Sequence, residues 1–67
     1  MTAKEFVKSK YPKAKAESHR ENGPFGKKYW LIRDGREYFY IASSDKSESN
    51  AWVNAKMRIQ EQENNNN

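Results

Sequence analysis

Two β-prone runs, Lys27–Arg33 and Arg36–Ser43, meet at Asp34-Gly35, and five aromatic side chains lie within them. An Asp-Gly pair so placed is the strongest short-range hairpin signal, because a type I′ turn needs φ > 0 at both central residues. Taken as a two-residue loop, it sets Leu31 opposite Tyr38, Trp30 opposite Phe39 and Tyr29 opposite Tyr40. Directly opposed residues share a face. One face then carries Trp30, Ile32, Phe39 and Ile41 and is the expected core, with Glu37 near the turn and Lys28 at the open end. The other collects Tyr29, Leu31, Arg33, Arg36, Tyr38 and Tyr40. A three-residue loop would exchange the faces on one strand, placing Tyr38 and Tyr40 with Trp30, so the site assignment depends on register.

The flanks supply the rest of the fold. Thr2-Ala3-Lys4-Glu5 fits a capping box, in which the threonine oxygen accepts from an amide of the first turn and the glutamate reaches back to the cap. Ala3, Phe6, Val7 and Tyr11 follow at helical spacing, and Pro12 ends the helix near Lys10. Lys13–His19 alternates small with charged or polar residues, as a strand does with Lys13, Lys15, Glu17 and His19 outward. Residues 21 to 26 form a loop by their Gly and Pro content. Residues 43 to 48 are rich in capping side chains: Ser44, Ser47 and an Asp45-x-x-Glu48 box are the options. The helix they open carries Ala51, Trp52, Ala55 and Ile59 on one stripe, with Trp52 as anchor. From Glu61 through the four terminal asparagines nothing apolar can be buried, so residues 61 to 67 are expected to be a disordered tail. The expected fold is α+β: helix, three-stranded antiparallel meander, helix, both helices on one sheet face, in a single domain over residues 1 to 60.

Composition narrows the function. A chain of 67 residues supports one small core and leaves little room for an enclosed cleft. It has no cysteine, which removes disulfides and thiolate metal sites and suits the cytoplasm. The N-terminus runs straight into charge, without a recognisable signal peptide, and no apolar run reaches the ~20 residues of a membrane span. Residues 1 to 36 hold ten Lys/Arg against four Asp/Glu, whereas residues 37 to 67 hold three against five. A basic half favours a polyanionic partner, although Lys4, Lys8 and Lys10 are accounted for as a solvated helix surface.

Catalysis needs convergent groups with tuned pKa values, and none converge in this pattern. His19 reads as a surface histidine with no acid placed to orient it. Gly23-Pro24-Phe25-Gly26-Lys27-Lys28 lacks the spacing, the Ser/Thr and the following helix of a phosphate loop. As a G-x-x-G element it precedes a strand rather than joining helices. No His/Asp/Glu cluster has metal-ligand spacing, so neither enzyme activity nor a cofactor is expected. The sheet face with Tyr29, Leu31, Arg33, Arg36, Tyr38 and Tyr40, flanked by Lys13 and Lys15, combines stacking rings with phosphate-pairing donors. That chemistry suits single-stranded nucleic acid, the partner this pattern slightly favours. The same residues suit a protein hot spot or self-association as a homodimer, and Tyr and Arg are also ordinary strand-surface residues.

The stretches "YPKA" (11 to 14), "YWLIRDG" (29 to 35) and "SESNAWVNA" (47 to 55) resemble a pattern in small phage-encoded α+β proteins of unknown function. The resemblance spans most of residues 3 to 60 and carries no binding residue. It implies an accessory role in the host cytoplasm, either contacting nucleic acid or inhibiting a host enzyme or defence complex.

Overall fold

The computed structural model describes residues 1 to 21, 26 to 35 and 40 to 65. Its elements are α1 (Ala3–Lys10), β1 (Lys15–Arg20), β2 (Lys28–Arg33), β3 (Tyr40–Ser44) and α2 (Glu48–Asn65). The strands form one antiparallel sheet in the order β1-β2-β3. α2 lies across this sheet, chiefly along β3, and α1 packs on α2. The helix–meander–helix architecture expected from the sequence is the one observed.

α1 begins at its expected cap. Thr2 Oγ1 accepts from the Glu5 amide at 3.1 Å, and the Glu5 carboxylate accepts from the Thr2 hydroxyl at 3.2 Å. Such a cap satisfies an amide that has no intrahelical partner. For α2 the sequence offered three caps, and Ser47 is the one used: its hydroxyl accepts from the Asn50 amide at 3.0 Å. α2 then continues to Asn65, past the boundary at residue 60 that composition suggested. Residues 61 to 64 are exposed, in keeping with their lack of apolar side chains. Strong helix formers such as Gln and Glu carry a helix onward without burial, and Glu63 meets Lys10 of α1 at 2.9 Å.

The core consists of Val7, Ala14, Ile32, Ala42, Ala51, Trp52, Ala55 and Ile59, with Phe6, Tyr11, Trp30 and Ile41 packed against it. The stripe of α2 is therefore buried as its spacing implied. Ala42 from β3 and Ala51 and Ala55 from α2 are all buried in this cluster, so small side chains occur on both elements where helix and sheet approach. Trp30 is half-buried, and the Lys28 ammonium lies 4.7 Å from its ring centroid. Phe39, Glu37, Arg36 and Tyr38 fall outside the described residues.

The hairpin register requires correction. Trp30 pairs with Ser44, Leu31 with Ser43 and Ile32 with Ala42, so β3 sits five residues further along than a two-residue Asp34-Gly35 turn would place it. β2 ends at Arg33 and β3 begins at Tyr40. Tyr29 opposite Tyr40, Leu31 opposite Tyr38 and Trp30 opposite Phe39 are not the pairs formed. Tertiary packing outweighs local turn preference: the strand under α2 must present small groups, and Ala42 and Ser44 do so. Gly35 nonetheless has φ +102°, the left-handed backbone for which glycine is suited.

A bulge at the start of β3 governs which residues face out. Ile32 opposes Ala42 but Arg33 opposes Tyr40, leaving Ile41 as the extra residue. The extra residue exchanges the faces that follow it. Tyr40 is thereby turned outward, 59% exposed, while Ile41 packs on the core.

Candidate binding face

The side of the sheet away from the helices carries Lys15, Glu17 and His19 from β1, Tyr29, Leu31 and Arg33 from β2, and Tyr40 and Ser43 from β3. The registers set these residues opposite one another: Lys15 with Arg33, Glu17 with Leu31, His19 with Tyr29, Leu31 with Ser43 and Arg33 with Tyr40. Of the residues expected here, Tyr29, Leu31 and Arg33 are half-buried by their neighbours, and Tyr40, Lys13 and Lys15 are exposed. Lys13 precedes β1 rather than belonging to it, and packs beside Gly35. Arg36 and Tyr38 lie outside the described residues.

Three features were not legible in the sequence. First, Glu17 has two basic neighbours. One carboxylate oxygen lies 2.5 Å from Arg33 Nε and the other 3.4 Å from His19 Nε2. An acid therefore does lie beside His19, since residues two apart on a strand share a face. His19 is half-buried, its ring stacks on Tyr29 at 5.6 Å between centroids, and its buried Nε2 makes no hydrogen bond among the described residues, Glu17 lying near it without hydrogen-bond geometry. Second, Tyr29, Leu31 and Tyr40 share a depression of about 570 Å³ with Ser43 and with two acids, Glu21 and Asp45. Both acids lie just beyond strand ends, where alternation gives no guide to facing. Third, a polar network ties β3 to α2. Ser44 Oγ donates to Asn50 Oδ1 at 2.7 Å, and Asn54 Nδ2 donates to the Ser43 carbonyl at 3.0 Å.

The electrostatics of the face therefore differ from those of its residue list. Arg33 is engaged by Glu17, and the phenols lie among carboxylates. No cluster of three His, Cys, Asp or Glu side chains able to hold a metal occurs among the described residues. No described helix is long and apolar enough to cross a membrane. In comparisons with protein-family models, curated proteins and solved structures, no significant match to this chain was found.

Proposed function

We propose that this chain is a non-catalytic binding module that docks a protein partner through the outer face of its sheet. The observation that carries this reading is the depression in which Tyr29, Leu31 and Tyr40 lie together with the Glu21 and Asp45 carboxylates. Aromatic side chains around an aliphatic centre, with charge at the margin, have the anatomy of a protein interface. A polyphosphate chain laid over the same rings would meet two like charges, and Arg33 would have to leave Glu17 to pair with it. In the phage setting that the sequence resembles, such a module would act on a host enzyme or defence complex.

Oligonucleotide binding is the second reading. Its support is that Lys13 and Lys15 are exposed and that Lys15 stands opposite Arg33. One experiment separates the two: affinity capture with tagged protein, with and without nuclease, at about 50 and about 200 mM salt. The docking reading expects a stoichiometric complex that resists nuclease and salt and is lost on Tyr29→Ala or Tyr40→Ala. Retention that disappears with nuclease and falls steeply with salt would replace it by the nucleic-acid reading.

A further inference from the structure

The sheet has two free edges, and they differ in chemistry. β1, Lys-Ala-Glu-Ser-His-Arg, carries ionisable side chains at four of its six positions. β3, Tyr-Ile-Ala-Ser-Ser, carries no Asp, Glu, Lys, Arg or His. Edge strands expose unpaired N–H and C=O groups, and proteins block them with charge, proline, bulges or a covering element. β1 is guarded by charge along its whole length. Among the described residues, β3 is guarded at its two ends, by the bulge near Tyr40 and by the Asn54 amide on the Ser43 carbonyl.

Between those two points the edge of β3 borders a groove of about 290 Å³. Residues 40 to 43 form one side, and Asn54 and Arg58, one turn apart on α2, form the other. Beyond Arg58 the groove continues into a smaller hollow of about 150 Å³ that includes Asp34 and Gln62. The bond from Asn54 shows which way the strand presents its polar groups. The Ser43 carbonyl accepts from the α2 side, and a peptide N–H taking that position would displace the Asn54 amide. Arg58 is exposed, and no ion pair to it is formed by the described residues. Among the described residues that line the 290 Å³ section there is no acid, and Arg58 is the ionised one.

We infer that β3 accepts an extended peptide as a fourth strand, laid between β3 and α2, with an acidic side chain of the peptide paired to Arg58. Strand addition draws affinity from main-chain hydrogen bonds and specificity from alternate side chains. A guanidinium beside the edge would fix the register through a charge-assisted, two-point bond to a carboxylate. The occupant is thus a proline-free extended segment bearing Asp or Glu. This inference rests on the protein-docking reading and refines it, since Tyr40 borders both the outer face and this groove.

The test is selection of a yeast-displayed library of random peptides, about twelve residues long, on the full chain. Enriched peptides are then synthesised and titrated into isotope-labelled protein. The proposal expects enriched peptides to contain Asp or Glu in a proline-free run, and binding to slow hydrogen exchange at amides of residues 40 to 43. Arg58→Glu should weaken these peptides about tenfold or more, and selection on that variant should enrich Lys or Arg instead. Arg58 is exposed, so the variant should fold. Tyr29→Ala, on the outer face, should leave peptide affinity nearly unchanged. Peptides that bind without protecting β3 and are lost on Tyr29→Ala would overturn the edge proposal while leaving the docking reading intact. Failure to enrich any peptide would also overturn it. A micromolar dimer in sedimentation, with the β3 amides already protected, would assign the edge to a second copy of the chain and reject the acidic peptide.

Discussion

Glu17 reaches diagonally across the β1–β2 ladder to Arg33, which pairs in register with Lys15 rather than with Glu17. Diagonal neighbours on a sheet face lie within reach of long side chains. The other oxygen of the same carboxylate lies beside His19, so one acid serves both a guanidinium and an imidazole of this surface.

Replacing that acid should expose the charge. Glu17→Gln is expected to cost about 0.5 to 1 kcal/mol, the upper part of the range for partly exposed ion pairs. It should also lengthen retention on a polyanion column, because a carboxylate is removed from beside Arg33 and the face gains one unit of positive charge. Urea titration and salt-gradient elution measure the two effects. Unchanged elution would show that Glu17 does not control the charge of the face.

Ile32 has no solvent exposure and belongs to the middle strand of the sheet. Ile32→Ala should cost about 2 to 5 kcal/mol through lost burial and a residual cavity. Small domains have little stability to spare, so this variant should be largely unfolded by circular dichroism at room temperature. Ile32→Val should remain folded, at a cost of about 0.5 to 1.5 kcal/mol.

Gly35 combines a positive φ with a close neighbour. A Cβ added there would lie 2.6 Å from Lys13 Cβ, and an L-residue is strained at φ +102° regardless of space. Gly35→Ala should therefore destabilise by more than about 1 kcal/mol, against the gain of up to that size seen where alanine fits. Thermal denaturation measures the difference.

The cap of α1 gives a further test. An eight-residue helix is too short to persist alone, so the Thr2 hydroxyl contributes directly to its docking. Thr2→Ala should lose about 1 kcal/mol and Thr2→Ser much less. Hydrogen exchange at the Glu5 amide, whose acceptor is removed in the alanine variant, reports the local effect.

These residues also show what can be read from a chain of this kind. The α1 cap, the stripe ending in Ile59, the Trp52 anchor and the outward phenol of Tyr29 follow from side-chain chemistry within a few positions of each residue. The partner of Trp30 does not. Asp34-Gly35 marks where the chain turns, but the resumption of β3 at Tyr40 depends on which residues fit beneath a helix that begins at Glu48. The outward placement of Tyr40 needed the bulge as well, a feature without a signature in the flanking residues. Glu21 and Asp45 were invisible as site residues because they lie past the ends of strands, where period-two alternation no longer applies. Arg58 lies off the apolar stripe of α2, and helical spacing alone cannot show that it borders the edge of β3.

The small buried side chains of the packed pair β3 and α2, Ala42 on one and Ala51 and Ala55 on the other, have a consequence for how such a molecule could diversify. Methyl groups set the distance between helix and sheet, so a larger side chain at any of the three would pry the layers apart, and deletion to glycine would loosen them. Change is left to the opposite surface and the open margin of β3, where new partners could be acquired while the interior stays the same.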